Sequence, residues 1–162
     1  MDEQTKVNTG TQYDATKDDS TQTMDVPDAE VTKSILELAN MFLHSSYWFL
    51  MLSITLTRLD LSGMAWAAKQ KDIFCRESAM TIMSEVLDMG GRVELADIAK
   101  PRKEEDQTAE YVVRKWGQLD MWLETETEKI LDKMAGGGTN NRLEATLRKI
   151  MDNIKNGWVK DS

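Results

Sequence analysis

The sequence predicts an all-α protein built as a four-helix bundle, on three observations. Leu, Met, Ala, Glu and Lys dominate, and the β-branched residues form no alternating runs, a balance that favours helix over strand. The 162 residues include only two prolines and nine glycines, and most of these fall between long apolar-periodic stretches. One such stretch, from Ala29 to Thr57, has neither breaker.

Taken in order, residues 1–28 come first as an acidic tail. Thr, Asp, Gln and Ser fill it, and Val7, Tyr13 and Val26 are scattered apolar exceptions. Such a segment buries too little surface to offset its ordering entropy, so disorder is expected. Pro27-Asp28 is a helix start signal. The first helix is expected over 29–57, with Val31, Ile35, Leu38, Phe42, Ser45, Phe49, Leu52 and Leu56 recurring at three- and four-residue steps. At 1.5 Å per residue it is ~43 Å long, a length typical of bundles. The second helix is expected over 61–89, closed by Gly90-Gly91, with Met64, Ala68, Phe74, Cys75, Ala79, Ile82, Met83 and Val86 as its apolar positions. Val93 to Lys103, with Pro101, reads as a crossing connection. The third helix is expected over 104–135, the glycine- and asparagine-rich segment 136–141 is a turn, and the fourth helix covers 142–156.

Charge narrows the function classes. Residues 1–30 hold eight acids against Lys6 and Lys17, while the other 132 residues hold 20 acids and 18 bases. The globular part is nearly neutral and has no basic run, so nucleic-acid binding is not expected. Residues 41–56 are strongly apolar, but the run is short and contains His44, which favours a helix buried among neighbours over a membrane span. No secretory signal opens the sequence, and the single Cys75 excludes an internal disulfide framework. A reducing, cytoplasmic setting is expected.

Residues 89–101, Met-Gly-Gly-Arg-Val-Glu-Leu-Ala-Asp-Ile-Ala-Lys-Pro, resemble the ferritin crossover that follows helix B, where a Gly-Gly-Arg turn leads to Asp-Ile-x-x-Pro. Gly63-Met64-Ala65 and Arg76-Glu77 are similar to the Gly-Phe-Ala and Arg-Glu elements of ferritin helix B, at the same spacing. The likeness runs from about Ser34 to Lys155. It implies a ferritin-like up-down-down-up bundle with a long crossover between the second and third helices.

The resemblance also implies where iron chemistry would lie. Ferritin heavy chains oxidise Fe(II) at two irons held by hard oxygen ligands and one imidazole. Their helix B supplies Glu-Arg-Glu-His, whose outer residues share a helical face. Here that stretch reads Cys75-Arg76-Glu77-Ser78. The remaining positions of the ferroxidase centre fall on Asn40, Tyr47, Asp120 and Ile154. Asn40, Cys75, Ser78 and Asp120 together could not balance the charge of two irons, so the centre reads as vestigial and the chain as no enzyme. Glu77, Asp120, Glu124 and Glu144 stay as candidate metal-binding carboxylates. Ferritin's fifth helix has no counterpart before Ser162.

Other residues allow two readings each. His44 is either a metal ligand or a hydrogen-bonded structural residue. Cys75 is either a reactive thiol or a buried inert one. The like-charged row Asp120, Glu124 and Glu128 is either a solvated face or an acidic lining that collects cations. Phe42, Trp48, Phe49 and Leu52 belong to an apolar surface wider than one core stripe, and they are expected at an interface with another subunit. The expectation is therefore a non-catalytic ferritin-like subunit, assembling with copies of itself or with active ferritin-like chains. No tightly bound cofactor is expected, and iron is expected only inside an assembled shell. A ferritin-fold structural protein with no iron role is the alternative.

Overall fold

The computed structural model describes residues 29–102, 108–137 and 141–157. The acidic tail, the expected third-helix start at 104, the centre of the glycine-rich turn and Trp158 lie outside the described residues. Among the described residues there are four helices and no strand: α1 (Ala29–Arg58), α2 (Ser62–Asp88), α3 (Ala109–Gly137) and α4 (Asn141–Asn156). This is an all-helical four-helix arrangement, and no helix in it is long and apolar enough to cross a membrane.

The α1 stripe is the main wall of the core. Ile35, Leu38, Phe42, Ser45, Phe49, Leu52 and Leu56 are all buried on one face, as steps of three and four residues require. α1 packs on α2 and α3, and α4 packs on α3 and α2. Side-chain pairs fix the neighbours: Phe42 meets Phe74, Phe49 meets Trp116, Lys133 donates to Ser34 Oγ, and Thr146 donates to Glu85. Buried hydroxyls within helices are satisfied locally, since Thr127 donates to the Leu123 carbonyl at 2.6 Å and Ser53 to that of Leu50 at 2.7 Å.

Two matching caps close α1 and α2. After α1, the Leu61 N–H donates to the Leu56 carbonyl and Asp60 N–H to that of Thr57, with Asp60 left-handed at φ 59°. After α2, Gly91 N–H donates to Val86 and Gly90 N–H to Leu87, with Gly90 at φ 84°. Gly91 must also lack a Cβ, because one would sit 2.7 Å from Val86 Cγ1.

α3 begins at Ala109. Thr108 lies outside the helix and caps it, its Oγ1 accepting from Tyr111 N–H at 3.1 Å. Residues 91–102 form a connection without helix or strand, ending in the buried Pro101 and exposed Arg102. The connection passes the outer face of α1, where Ala96 N–H donates to Asn40 Oδ1 at 3.3 Å.

Candidate functional site

The polar centre of the bundle is built on Lys71. It falls three residues after Ala68 and four before Cys75, so the turn of α2 carries it toward the interior with both. Lys71 is buried, and its Nζ lies 2.6 Å from Asp120 Oδ1 on α3. The ammonium also stands 5.4 Å from the Phe49 ring centroid and 5.5 Å from that of Phe74. These rings continue edge-to-face into Trp116 and Phe42 at 5.4 and 6.2 Å. An aromatic wall and one carboxylate therefore enclose a single cation.

Cys75 lies one turn beyond Lys71 and is a free, buried thiol. Burial pushes its pKa upward, with Lys71 pulling the other way and Asp120 and Asp72 adding to the rise. A thiol held protonated by burial is a poor metal ligand and a poor nucleophile.

On the outer side of α2, Asp72 is buried too. It accepts a short hydrogen bond from Ser46 Oγ and a 2.9 Å bond from Arg76 Nη2. Ser46, Asp72 and Arg76 line a groove of roughly 500 Å³ with Leu43, Tyr47, Leu50 and Ile98.

These placements separate the six positions that the resemblance assigns to the ferroxidase centre. Cys75, Ser78 and Ile154 are buried, and Asp120 is paired with Lys71. Asn40 and Tyr47 are not with them. Asn40 donates to the Leu36 carbonyl and accepts from Ala96, and Tyr47 lines the outer groove and is 43% exposed. The reason is helical phase: Asn40 and Tyr47, seven residues apart, share a face with Leu36, Leu43, Leu50 and Ile54, away from the Phe42–Phe49 stripe.

The candidate metal carboxylates do not converge. Asp120 faces Lys71, Glu144 pairs with Arg148 at 2.8 Å, and Glu124 is half-buried on α3. Glu77 lies in a separate α2–α4 groove with Ser78, Thr146, Lys149 and Asn153. Among the described residues, no group of three or more His, Cys, Asp or Glu could hold a metal ion.

The expected interface residues need correcting as well. Phe42, Phe49 and Leu52 are fully buried inside the chain and Trp48 nearly so, because they sit on the core side of α1. Lys115 Nζ lies 3.9 Å above the Trp48 ring. The outward apolar residues of α1 are Tyr47, Leu50 and Ile54. His44 packs edge-on against Trp122 at 5.6 Å, and burial, helped by the Lys115 charge, lowers its pKa.

Sequence reasoning did not single out Lys71, Asp72 or Ser46. A signal existed, since a lysine at an apolar position of the Ala68–Cys75 arc demands a buried partner. Compared with known proteins, the chain matches no family model, and no curated protein matches it.

Proposed function

We propose that the chain is a non-catalytic, ferritin-like subunit of an oligomeric assembly. The observation that carries this reading is the Lys71–Asp120 contact at 2.6 Å inside an aromatic wall. A diiron oxidase gathers several hard oxygen donors around each cation. Here the carboxylate expected on the third helix faces an ammonium, which repels a metal cation and occupies the oxygen that would bind it. Asn40 and Tyr47 point elsewhere, and the neutral Cys75 thiol adds no charge. Iron entering an assembled shell would be oxidised by a partner chain.

An up-down-down-up topology belongs to the same reading. It is supported by the opposed numbering of the contacts, Ser34 with Lys133 and Phe49 with Trp116 between α1 and α3, and Glu85 with Thr146 and Asp88 with Arg142 between α2 and α4. Assembly with like chains is supported by large apolar side chains left exposed on α1 and α2. A cytoplasmic setting is consistent with the free Cys75.

One observation favours the alternative, a ferritin-fold structural protein without an iron role: Glu77, Asp120, Glu124 and Glu144 stand apart. The deciding experiment adds Fe(II) aerobically to the purified full chain and follows oxidation against buffer. No acceleration is expected, whereas a fast phase saturating at stoichiometric iron would overturn the non-catalytic reading. Iron content after co-expression with an active ferritin subunit separates the two non-catalytic readings.

A further inference from the structure

α4 ends on the only Asn-Gly pair in the sequence, Asn156-Gly157. Asn156 is the last helical residue and Gly157 the first beyond it, and both are exposed. Gly157 is left-handed at φ 78°, and a Cβ at this position would meet nothing within 4 Å. The end of α2 is built differently. There the N–H groups of Met89, Gly90 and Gly91 all donate to carbonyls of the last turn. After α4, no backbone carbonyl among the described residues accepts the Gly157 N–H with hydrogen-bond geometry. The amide nitrogen that follows Asn156 is therefore exposed, uncrowded and not tied back into the helix.

We propose that Asn156 is a site of spontaneous, backbone-assisted deamidation. The Gly157 nitrogen attacks Asn156 Cγ, and a new C–N bond forms as the Cγ–Nδ2 bond breaks. The departing nitrogen takes the Gly157 amide proton and leaves as ammonia. Asn156 and Gly157 are then joined in a five-membered succinimide, which water opens. Opening at Cγ gives aspartate at position 156. Opening at the main-chain carbonyl gives isoaspartate, through whose side-chain carbonyl the backbone then runs. Nothing is oxidised or reduced, and water is the only co-reactant. Either product adds a negative charge at the C-terminal end of α4, where the free carbonyls are already partly negative.

The surroundings make Asn156 react ahead of the other asparagines of the helices. A side chain on the following residue crowds the attacking nitrogen, and glycine has none. Ring closure also requires the asparagine to leave the helical conformation, which costs least at a helix terminus. Asn153, one turn earlier, is followed by the β-branched and buried Ile154. Asn40 lies within α1, where its side chain donates to the Leu36 carbonyl and accepts from Ala96 N–H.

The test incubates the full chain in mildly alkaline buffer, folded and unfolded in guanidinium chloride, and follows each asparagine by peptide mapping with mass spectrometry. In the folded chain, conversion at Asn156 should outpace that at Asn153 and Asn40 by at least about tenfold. Its folded rate should lie within about tenfold of its unfolded rate, because the end of α4 gives little protection. Aspartate and isoaspartate should both appear at position 156, the second being the mark of the ring. Asn156→Gln, which would have to close a larger ring, should leave the position intact over the same period. A folded rate slower than that limit would overturn the proposal, because the helix end would then hold Asn156 as an interior turn does. Aspartate without isoaspartate would also overturn it, since direct hydrolysis needs no attack by Gly157.

Discussion

Lys71 Nζ and Asp120 Oδ1 lie 2.6 Å apart across the bundle, although α2 and α3 make no close backbone contact. The long lysine side chain bridges the two helices, its methylenes running past apolar neighbours and its charge meeting the carboxylate. The Phe49 and Phe74 rings favour the ammonium electrostatically but accept none of its protons. The pair therefore ties opposite corners of the core together, and each member depends on the other.

Removing one member should cost more than removing both. Lys71→Met leaves the partly exposed Asp120 a route to water, whereas Asp120→Ala strands an ammonium among rings. Asp120→Ala should destabilise the chain by about 2–4 kcal/mol in urea unfolding, and Lys71→Met by less. The double variant Lys71→Met with Asp120→Leu should lie within about 1 kcal/mol of wild type, since buried pairs exchange well for apolar residues. Additive losses would show that the two side chains are not coupled.

Ser45 is fully buried on the core face of α1, and its Oγ has no hydrogen-bond partner among the described residues. Ser45→Ala removes a desolvated hydroxyl and substitutes a better helix former. A gain of about 1 kcal/mol is expected in chemical denaturation. A loss would mean that the hydroxyl is satisfied by water.

His44 makes stability depend on pH. Burial and the Lys115 charge hold its folded pKa below 6.5, so the unfolded chain takes up a proton first. Its contribution is complete above pH 6.5 and is lost as pH falls from there through the lower folded value. Between neutral pH and pH values near 5.5, wild type should lose more thermal stability than His44→Gln. Because the chain has one histidine, an equal loss in both proteins would remove this mechanism.

Much of the fold is legible in the sequence because the core stripe of α1 is written in its spacing. Ile35, Leu38, Phe42, Ser45, Phe49, Leu52 and Leu56 lie where periodicity puts them. The same periodicity sets Asn40 and Tyr47 on the other face, so a register taken from family likeness misplaces them. Lys71 was harder to read: spacing marks its position as interior, but the partner that makes this tolerable comes from a helix about fifty residues away. Phe42, Trp48, Phe49 and Leu52 suggested an interface because apolar residues nearly surround α1, and which of them face neighbours depends on where α2 and α3 lie.

The two helix caps should respond oppositely to substitution. Asp60 occupies a left-handed position where glycine is easier, so Asp60→Gly should stabilise the chain by a few tenths to about 1 kcal/mol. Gly90→Ala should cost about 1 kcal/mol for the same conformational reason. Gly91→Ala should cost more, because its Cβ would strike Val86 Cγ1 and the Val86 side chain is fully buried. Thermal unfolding of the three variants checks the order, and equal effects at Gly90 and Gly91 would contradict the close approach.

The outward row of α1 should govern assembly without governing folding. Tyr47, Leu50 and Ile54 are 43%, 39% and 53% exposed, on the face opposite the core stripe. Phe49, immediately beside Leu50 in sequence, is fully buried against Trp116. Leu50→Glu with Ile54→Lys places charge where water already reaches, so the bundle loses little apolar burial of its own. Phe49→Ala instead empties the core and should cost about 3–5 kcal/mol. If the row meets another subunit, the charged variant should sediment as a smaller species while keeping the helicity and unfolding midpoint of wild type. If it faces only solvent, the species size should not change. The comparison stays informative under partial unfolding, because Phe49→Ala reports what a core defect does to sedimentation. A charged variant that unfolds as readily as Phe49→Ala would place this row inside the folding unit instead of at its surface.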